Sequence, residues 1–120
     1  MFPPYLLEKL VVHGSLKNNA SGFEVKLKNI VDTGTVSGLG PLVVDDITYA
    51  PGDVTLKVGG AEKVGDQISR TSPLPVRAYA EIQVEVKGTP LQPGAHKLSF
   101  QVLTFEAGRL QFSVTETLSE

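Results

Sequence analysis

The chain has no cysteine and no tryptophan, and only one methionine and two histidines in 120 residues. Without cysteine there is no disulfide, no thiolate nucleophile and no zinc–thiolate centre. That composition suits a reducing compartment, and a cytoplasmic location is expected. The absence of tryptophan, with three tyrosines and five phenylalanines, leaves few rings to stack on sugars. Lysine and arginine number eleven against thirteen acidic residues, for a formal charge of −2. They are scattered rather than clustered, and a polyphosphate backbone demands a concentrated basic surface, so nucleic acid is not an expected partner. No apolar run reaches the length of a membrane span. The opening stretch MFPPYLLEKLVV has no basic leader and is broken by two prolines, Glu8 and Lys9, unlike a secretion signal.

What is present is alternation. In GFEVKLKN, Phe23, Val25 and Leu27 fall on one side, and Glu24, Lys26 and Lys28 on the other. In VRAYAEIQVEVKG, the set Val76, Ala78, Ala80, Ile82, Val84 and Val86 opposes Arg77, Tyr79, Glu81, Gln83, Glu85 and Lys87. A period of two is the mark of a strand with one dry and one wet face. The second run reads as the longest strand of the protein. Further strands are expected at 8–16, 23–29, 30–38, 42–49, 54–58, 96–105 and 109–118. Asn18 to Gly22, Asp45-Asp46, Gly59-Gly60 and 106–108 are the turns between them. Asn19-Ala20-Ser21 fits a glycosylation pattern and reads here as turn residues. Helical periodicity is absent, although 61–71 has room for one short turn. Ser72-Pro73-Leu74-Pro75 reads as an extended crossover.

These spacings predict an all-β fold. The expected architecture is a two-sheet antiparallel β-sandwich of about eight strands with little or no helix, occupying residues 1–120 as a single domain. Phe23, Phe100 and Phe112 are expected in the core, with Tyr49, Tyr79 and Phe105 outside that pattern.

Reactive constellations are scarce. His13 and His96 lie on different predicted strands, and Asp32, Asp45, Asp46, Asp53 and Asp66 sit mostly in loops, so no metal site is expected. Gly34-Thr35-Val36-Ser37-Gly38 has its serine one place too late for a nucleophile elbow. Gly38-Leu39-Gly40 runs into Pro41, which blocks the helix that a phosphate cradle requires. Glu81 and Glu85 share a wet strand face, the ordinary place for solvated glutamates. No catalytic residue, cofactor-binding residue or cofactor is therefore expected. Pro93-Gly94 makes a turn and His96 follows on the side of Leu98, Phe100 and Val102. These three, Pro93, Gly94 and His96, read as a structural corner, with a ring nitrogen bonded to backbone within 91–94. Association is the better-supported property. The arm 1–7 is apolar, and Leu103 and Phe105 end a strand with apolar groups on its second face. Phe2, Tyr5, Leu6, Leu103 and Phe105 are the expected interface, with a protein partner or a second copy of the chain.

The order LKNNASGFEVKLKN, PLVVDDITYAPGDVTLKVGG, AEIQVEVKGTPLQPGAHKLSFQV and FSVTETL resembles the small β subunit of C-glycoside deglycosidases. Asp45-Asp46 stands where that family has an Asp-Gly turn. The resemblance implies a non-catalytic β-sandwich accessory subunit in a lyase complex of carbohydrate metabolism. Its partner would be a metal-dependent barrel subunit that cleaves the carbon–carbon bond between an oxidised sugar and its aglycone. No catalytic residue of this chain follows from it. The alternatives are a stand-alone module binding a carbohydrate or other small molecule, and last an enzyme using His13 or His96 with loop carboxylates. Deletion of residues 1–7 is expected to lower the size of the assembly; an unchanged mass in light scattering would refute that role for the arm.

Overall fold

A computed structural model describes residues 4–118. Its elements are α1 (Pro4–Glu8), β1 (Lys17–Asn18), β2 (Gly22–Lys28), β3 (Gly34–Leu39), β4 (Leu42–Val44) and β5 (Ile47–Tyr49). After a 3-10 turn at Pro51–Asp53 come β6 (Val54–Val58) and β7 (Ala61–Val64). A second 3-10 turn at Gly65–Gln67 leads to β8 (Leu74–Val76), β9 (Glu81–Lys87), β10 (Gly94–Thr104) and β11 (Gly108–Leu118). One sheet has the order β1-β2-β9-β6-β7; the other runs β5-β4-β10-β3-β8, with β11 on the far side of β10. Every strand pair is antiparallel. The expected all-β sandwich is therefore the observed one, with eleven strands among the described residues rather than about eight, and with one short α-helix.

Strand β10 organises the second sheet. It pairs with β11 along its whole length, from Gly94 opposite Leu118 to Thr104 opposite Gly108. Its other edge is shared: β4 takes Leu98 and Ser99, and β3 takes Val102 to Thr104. β3 and β4 are thus two halves of one strand, parted at Gly40-Pro41 by one extra residue. The slip has a sequence cause. Pro41 offers no amide to the ladder, and a side chain at Gly40 would come within 2.7 Å of the Gln101 side chain lying over it. Gly40 still donates its N–H to the Gln101 carbonyl at 2.9 Å.

The inner faces meet in one core. Phe23, Val25, Val54 and Val86 from the first sheet and Val44, Leu74 and Leu98 from the second are almost completely buried. The expected inward set Phe23, Val25 and Leu27 is in place, and so are Phe100 and Phe112, whose rings stack at 5.1 Å. Tyr49 departs from the sequence pattern: it is buried, with its ring edge-on to Phe23 at 5.4 Å and its flank where a side chain on Gly88 would stand.

Two strand expectations are corrected. The run 76–87 is not one strand: β8 belongs to the second sheet and β9 to the first, and residues 77–80 carry the chain between them. Tyr79 makes this crossing with φ +66 and donates its N–H to the Asn29 carbonyl. The stretch 8–16 is mostly not a strand. It begins inside α1 and then follows β2 through a single bridge, Val11 to Leu27, with the Ser15 hydroxyl receiving the Lys26 N–H at 2.9 Å in place of a backbone carbonyl. The apolar arm carries the helical turn α1, and its Leu7 enters the core. Pro75 sits in an edge strand, where its missing amide costs nothing. Asn19 caps the first turn, accepting the N–H of Ser21 and Gly22 through Oδ1.

Truncation of Phe23 to alanine removes the most enclosed ring and the edge contact with Tyr49. The expected loss of stability is about 3–5 kcal/mol, read as a lower urea midpoint with an unchanged slope.

Candidate functional site

β10 spans about 33 Å at a strand's rise per residue, and the two ends of the sandwich that it joins are chemically opposite. At its start, Gly94 takes φ +123 and lets the chain turn into the sheet. Two residues on, His96 points inward with only 11% of its side chain exposed. Its Nδ1 meets Asp45 Oδ2 at 2.5 Å and its Nε2 meets the Gln92 carbonyl at 2.6 Å. Asp45 lies in the β4–β5 turn, where Asp45 (φ +56) and Asp46 (φ +117) both adopt the left-handed region, a conformation that aspartate tolerates. Its second oxygen accepts the Lys97 N–H at 2.9 Å, and its own N–H goes to the Lys97 carbonyl.

Both ring nitrogens of His96 therefore face acceptors, which is the arrangement of an imidazolium. The Asp45 hydrogen bond, followed by the Gln92 carbonyl, holds the His96 pKa above its ordinary value against the effect of burial. The same bond, with the Lys97 amide, holds the Asp45 carboxyl below the usual range. A histidine committed on both sides has no free lone pair for a proton or a metal. It ties the turn before β10 to the turn after β4.

His13 stands at the same end. Glu116, directly opposite His96 in the β10–β11 register, is buried and accepts the Gly14 N–H through Oε1 at 3.0 Å. Its Oε2 lies 3.5 Å from His13 Nδ1, on a side chain that is 96% exposed. Each histidine thus meets its own carboxylate. Among the described residues no three histidine, aspartate or glutamate side chains gather into a group able to hold a metal ion.

On the outer face of the first sheet, Glu24 and Glu85 are direct cross-strand neighbours. The Gln83 amide bonds both, at 3.1 and 2.7 Å, while Lys17 and Lys57 stand at 3.8 and 3.2 Å. This is a hydrogen-bonded ladder along one sheet, with Glu24 buried beneath its partners, rather than a carboxylate pair across a cleft.

The other end of the sandwich is open. There the sheets part around a cavity of about 300 Å³. Leu27 and Ile82 form one wall, and Val36, Val102, Leu110 and Phe112 the other. A smaller void of about 40 Å³ shares Leu27, Val36, Ile82 and Val102 and runs inward toward Leu56 and Phe100. The polar groups at the mouth are bonded to one another. Glu106 accepts the N–H and the hydroxyl of Thr35 at 2.8 and 2.9 Å, and the Thr35 amide in particular keeps its carboxyl below the ordinary value. Asn29 Nδ2 reaches the carbonyls of Asp32, Val76 and Arg77, and Thr33 Oγ1 accepts the Ala78 N–H. Asn29 and Glu106 had no signal in the sequence beyond their turn-forming neighbourhood, because their partners lie as far as 71 positions away.

Of the residues expected at an interface, Tyr5, Leu103 and Phe105 are exposed and Leu6 is half-buried. The Arg70 guanidinium covers the Phe105 ring at 5.4 Å from its centroid. Phe2 lies outside the described residues.

The class defined by this architecture is the antiparallel β-sandwich domain, with titratable groups used as struts at one end and an apolar opening at the other. Within it, the chain belongs to the family of the hydroxymethylglutaryl-CoA reductase N-terminal domain, whose model matches residues 6–119. No curated protein matches the chain. Among the described residues no helix is long and apolar enough to cross a membrane.

The family match overturns the resemblance to the small β subunit of C-glycoside deglycosidases. The lyase complex, the role in carbohydrate metabolism and the metal-dependent barrel partner implied by that resemblance fall with it. The reason lies in what carried it. Gly22-Phe23-Glu24-Val25 is strand alternation, Val44-Asp45 is a hairpin corner, and Leu91 to His96 is a turn into β10. Antiparallel sandwiches of many kinds use such pieces.

The ionic clip sets a pH dependence. Because the folded His96 pKa is raised above 6.5, its contribution is complete below that value and fades as pH rises through the raised one. Because the folded Asp45 pKa is lowered below 3.8, its contribution is present above that value and fades as pH falls through the lowered one. The clip is therefore strongest between about pH 4 and 6.5. His96→Gln is expected to cost about 1 kcal/mol near pH 5.5, an amount reduced by the exposure of Asp45. The deficit should shrink toward pH 9 in urea titrations; an equal deficit at both pH values counts against the imidazolium.

Proposed function

We propose that the chain is a non-catalytic accessory domain, acting by contact with another protein segment in the setting of a hydroxymethylglutaryl-CoA reductase. The observation that carries this reading is the reach of the family match. It covers 6–119, so the sandwich as a whole is what an N-terminal domain of that enzyme corresponds to. Residues 1–120 are read as one such domain. The local chemistry supports it: His96 is committed on both ring nitrogens to bracing two turns, and Glu116 is occupied by Gly14 and His13. The contact surface is assigned to Leu103 and Phe105 at the end of β10, together with Tyr5. All three expose large apolar side chains, and aromatic residues are favoured at interfaces. The cytoplasm is the proposed compartment, which the lack of cysteine supports.

The purified chain is expected to leave hydroxymethylglutaryl-CoA unchanged in the presence of a reductant, whereas turnover would overturn the reading. The chain is also expected to co-purify with hydroxymethylglutaryl-CoA reductase from its own cell extract. L103D combined with F105D should abolish that capture at an unchanged urea midpoint.

A further inference from the structure

The open end of the sandwich goes beyond a scaffolding role. Protein interiors are packed to the density of organic crystals and rarely leave voids larger than a water molecule, yet a cavity of about 300 Å³ opens between the two sheets here. The cause is the distribution of large side chains. Phe23 and Tyr49 fill the middle of the sandwich, while the opposing walls of the cavity are built mostly from the smaller Leu27, Val36, Ile82 and Val102.

The mouth is held rather than loose. Glu106 and Thr35 join the 105–107 turn to β3, and Asn29 and Thr33 join the 29–34 loop to residues 76–78. Tyr79, beside this mouth, keeps a left-handed backbone while 69% exposed. Strain of that kind persists where the surroundings over-determine it.

We propose that this cavity is a binding site for a medium-length alkyl chain bearing an uncharged head group, which enters between the 29–34 loop and the 105–107 turn. Three observations fix the class. First, the walls are aliphatic apart from Phe112, and among the described residues no buried side-chain polar atom is left without a partner. The occupant is therefore held by burial of apolar surface rather than by hydrogen bonds. Second, a void of about 40 Å³ adjoins the cavity across Leu27, Val36, Ile82 and Val102 and is lined further by Leu56 and Phe100, so the space beyond the cavity suits the narrow end of a chain better than a ring. Third, Asp32 and Glu106 line the mouth against the single ammonium of Lys28, which disfavours an anionic head.

The test uses the full chain with 1-octanol and octanoate, followed through the methyl resonances of Val36, Ile82 and Val102. With 1-octanol these methyls are expected to shift saturably, and octanoate should bind at least tenfold more weakly. Two variants address the site separately. Val102→Phe fills the cavity from within, and Ala107→Trp covers the mouth from the turn without entering the core. Each should weaken octanol binding at least tenfold, and Ala107→Trp should do so at an unchanged urea midpoint. Absence of saturable shifts up to the solubility of octanol would overturn the proposal. So would full-strength binding in Ala107→Trp, or equal binding of octanoate.

Discussion

The long strand β10 is the constraint on which the second sheet depends. One of its edges is occupied by a single strand of equal length, and the other is divided between β3 and β4. A regular ladder along the divided edge would require one continuous strand. Gly40-Pro41 instead absorbs an extra residue, and a second slip falls between Leu103 and Thr104. Each slip adds local twist, so the two halves of that edge leave β10 in different directions. β4 closes toward the His96 end, and β3 leads to the apolar mouth.

The two ends then divide the chemistry. At the closed end, charge is used mechanically: an imidazolium held between a carboxylate and a carbonyl ties the Gln92 turn to the β4–β5 turn, at the end of the β4–β10 ladder. At the open end, the polar groups are spent on one another around the rim, and the walls below them are left apolar. Both ends are therefore braced, one by a clip across its turns and the other by a polar rim that leaves the cavity beneath it open.

Much of the fold was legible in residue order. The alternation around Phe23 and Val25, the Asp45-Asp46 and Gly59-Gly60 turns and the 106–108 connection each follow from local chemistry, and each is where the pattern puts it. The failure at 76–87 has a plain cause. A period of two looks the same whether consecutive inward residues face the core from one sheet or from the other. Only the backbone of Tyr79 marks the crossing, and tyrosine gives no sign of a positive φ. The 8–16 stretch misled similarly, because Leu10 and Val11 pack against the core while the chain beside β2 forms only the one bridge at Val11. The site was less legible still. Asp45 read as a turn residue and is one, but its second duty, toward His96, spans 51 positions and depends on the register of two hairpins. Motif order was a poor guide to kinship for the same reason, since turns and alternation serve many sandwiches alike.

The position of β10 in the chain has a consequence for biosynthesis. Chains leave the ribosome from the N-terminus, and the strand that collects β3, β4 and β11 begins only at Gly94. Until then β3 and β4 have emerged without the edge that they both require. The second sheet therefore cannot close until β10 is made, and its closure joins segments far apart in the chain. This is the slow, non-local kind of assembly that leaves strand edges open to wrong partners. A chain ending before residue 94 would hold all five strands of the first sheet with its apolar face uncovered, the state in which a chaperone has most to protect.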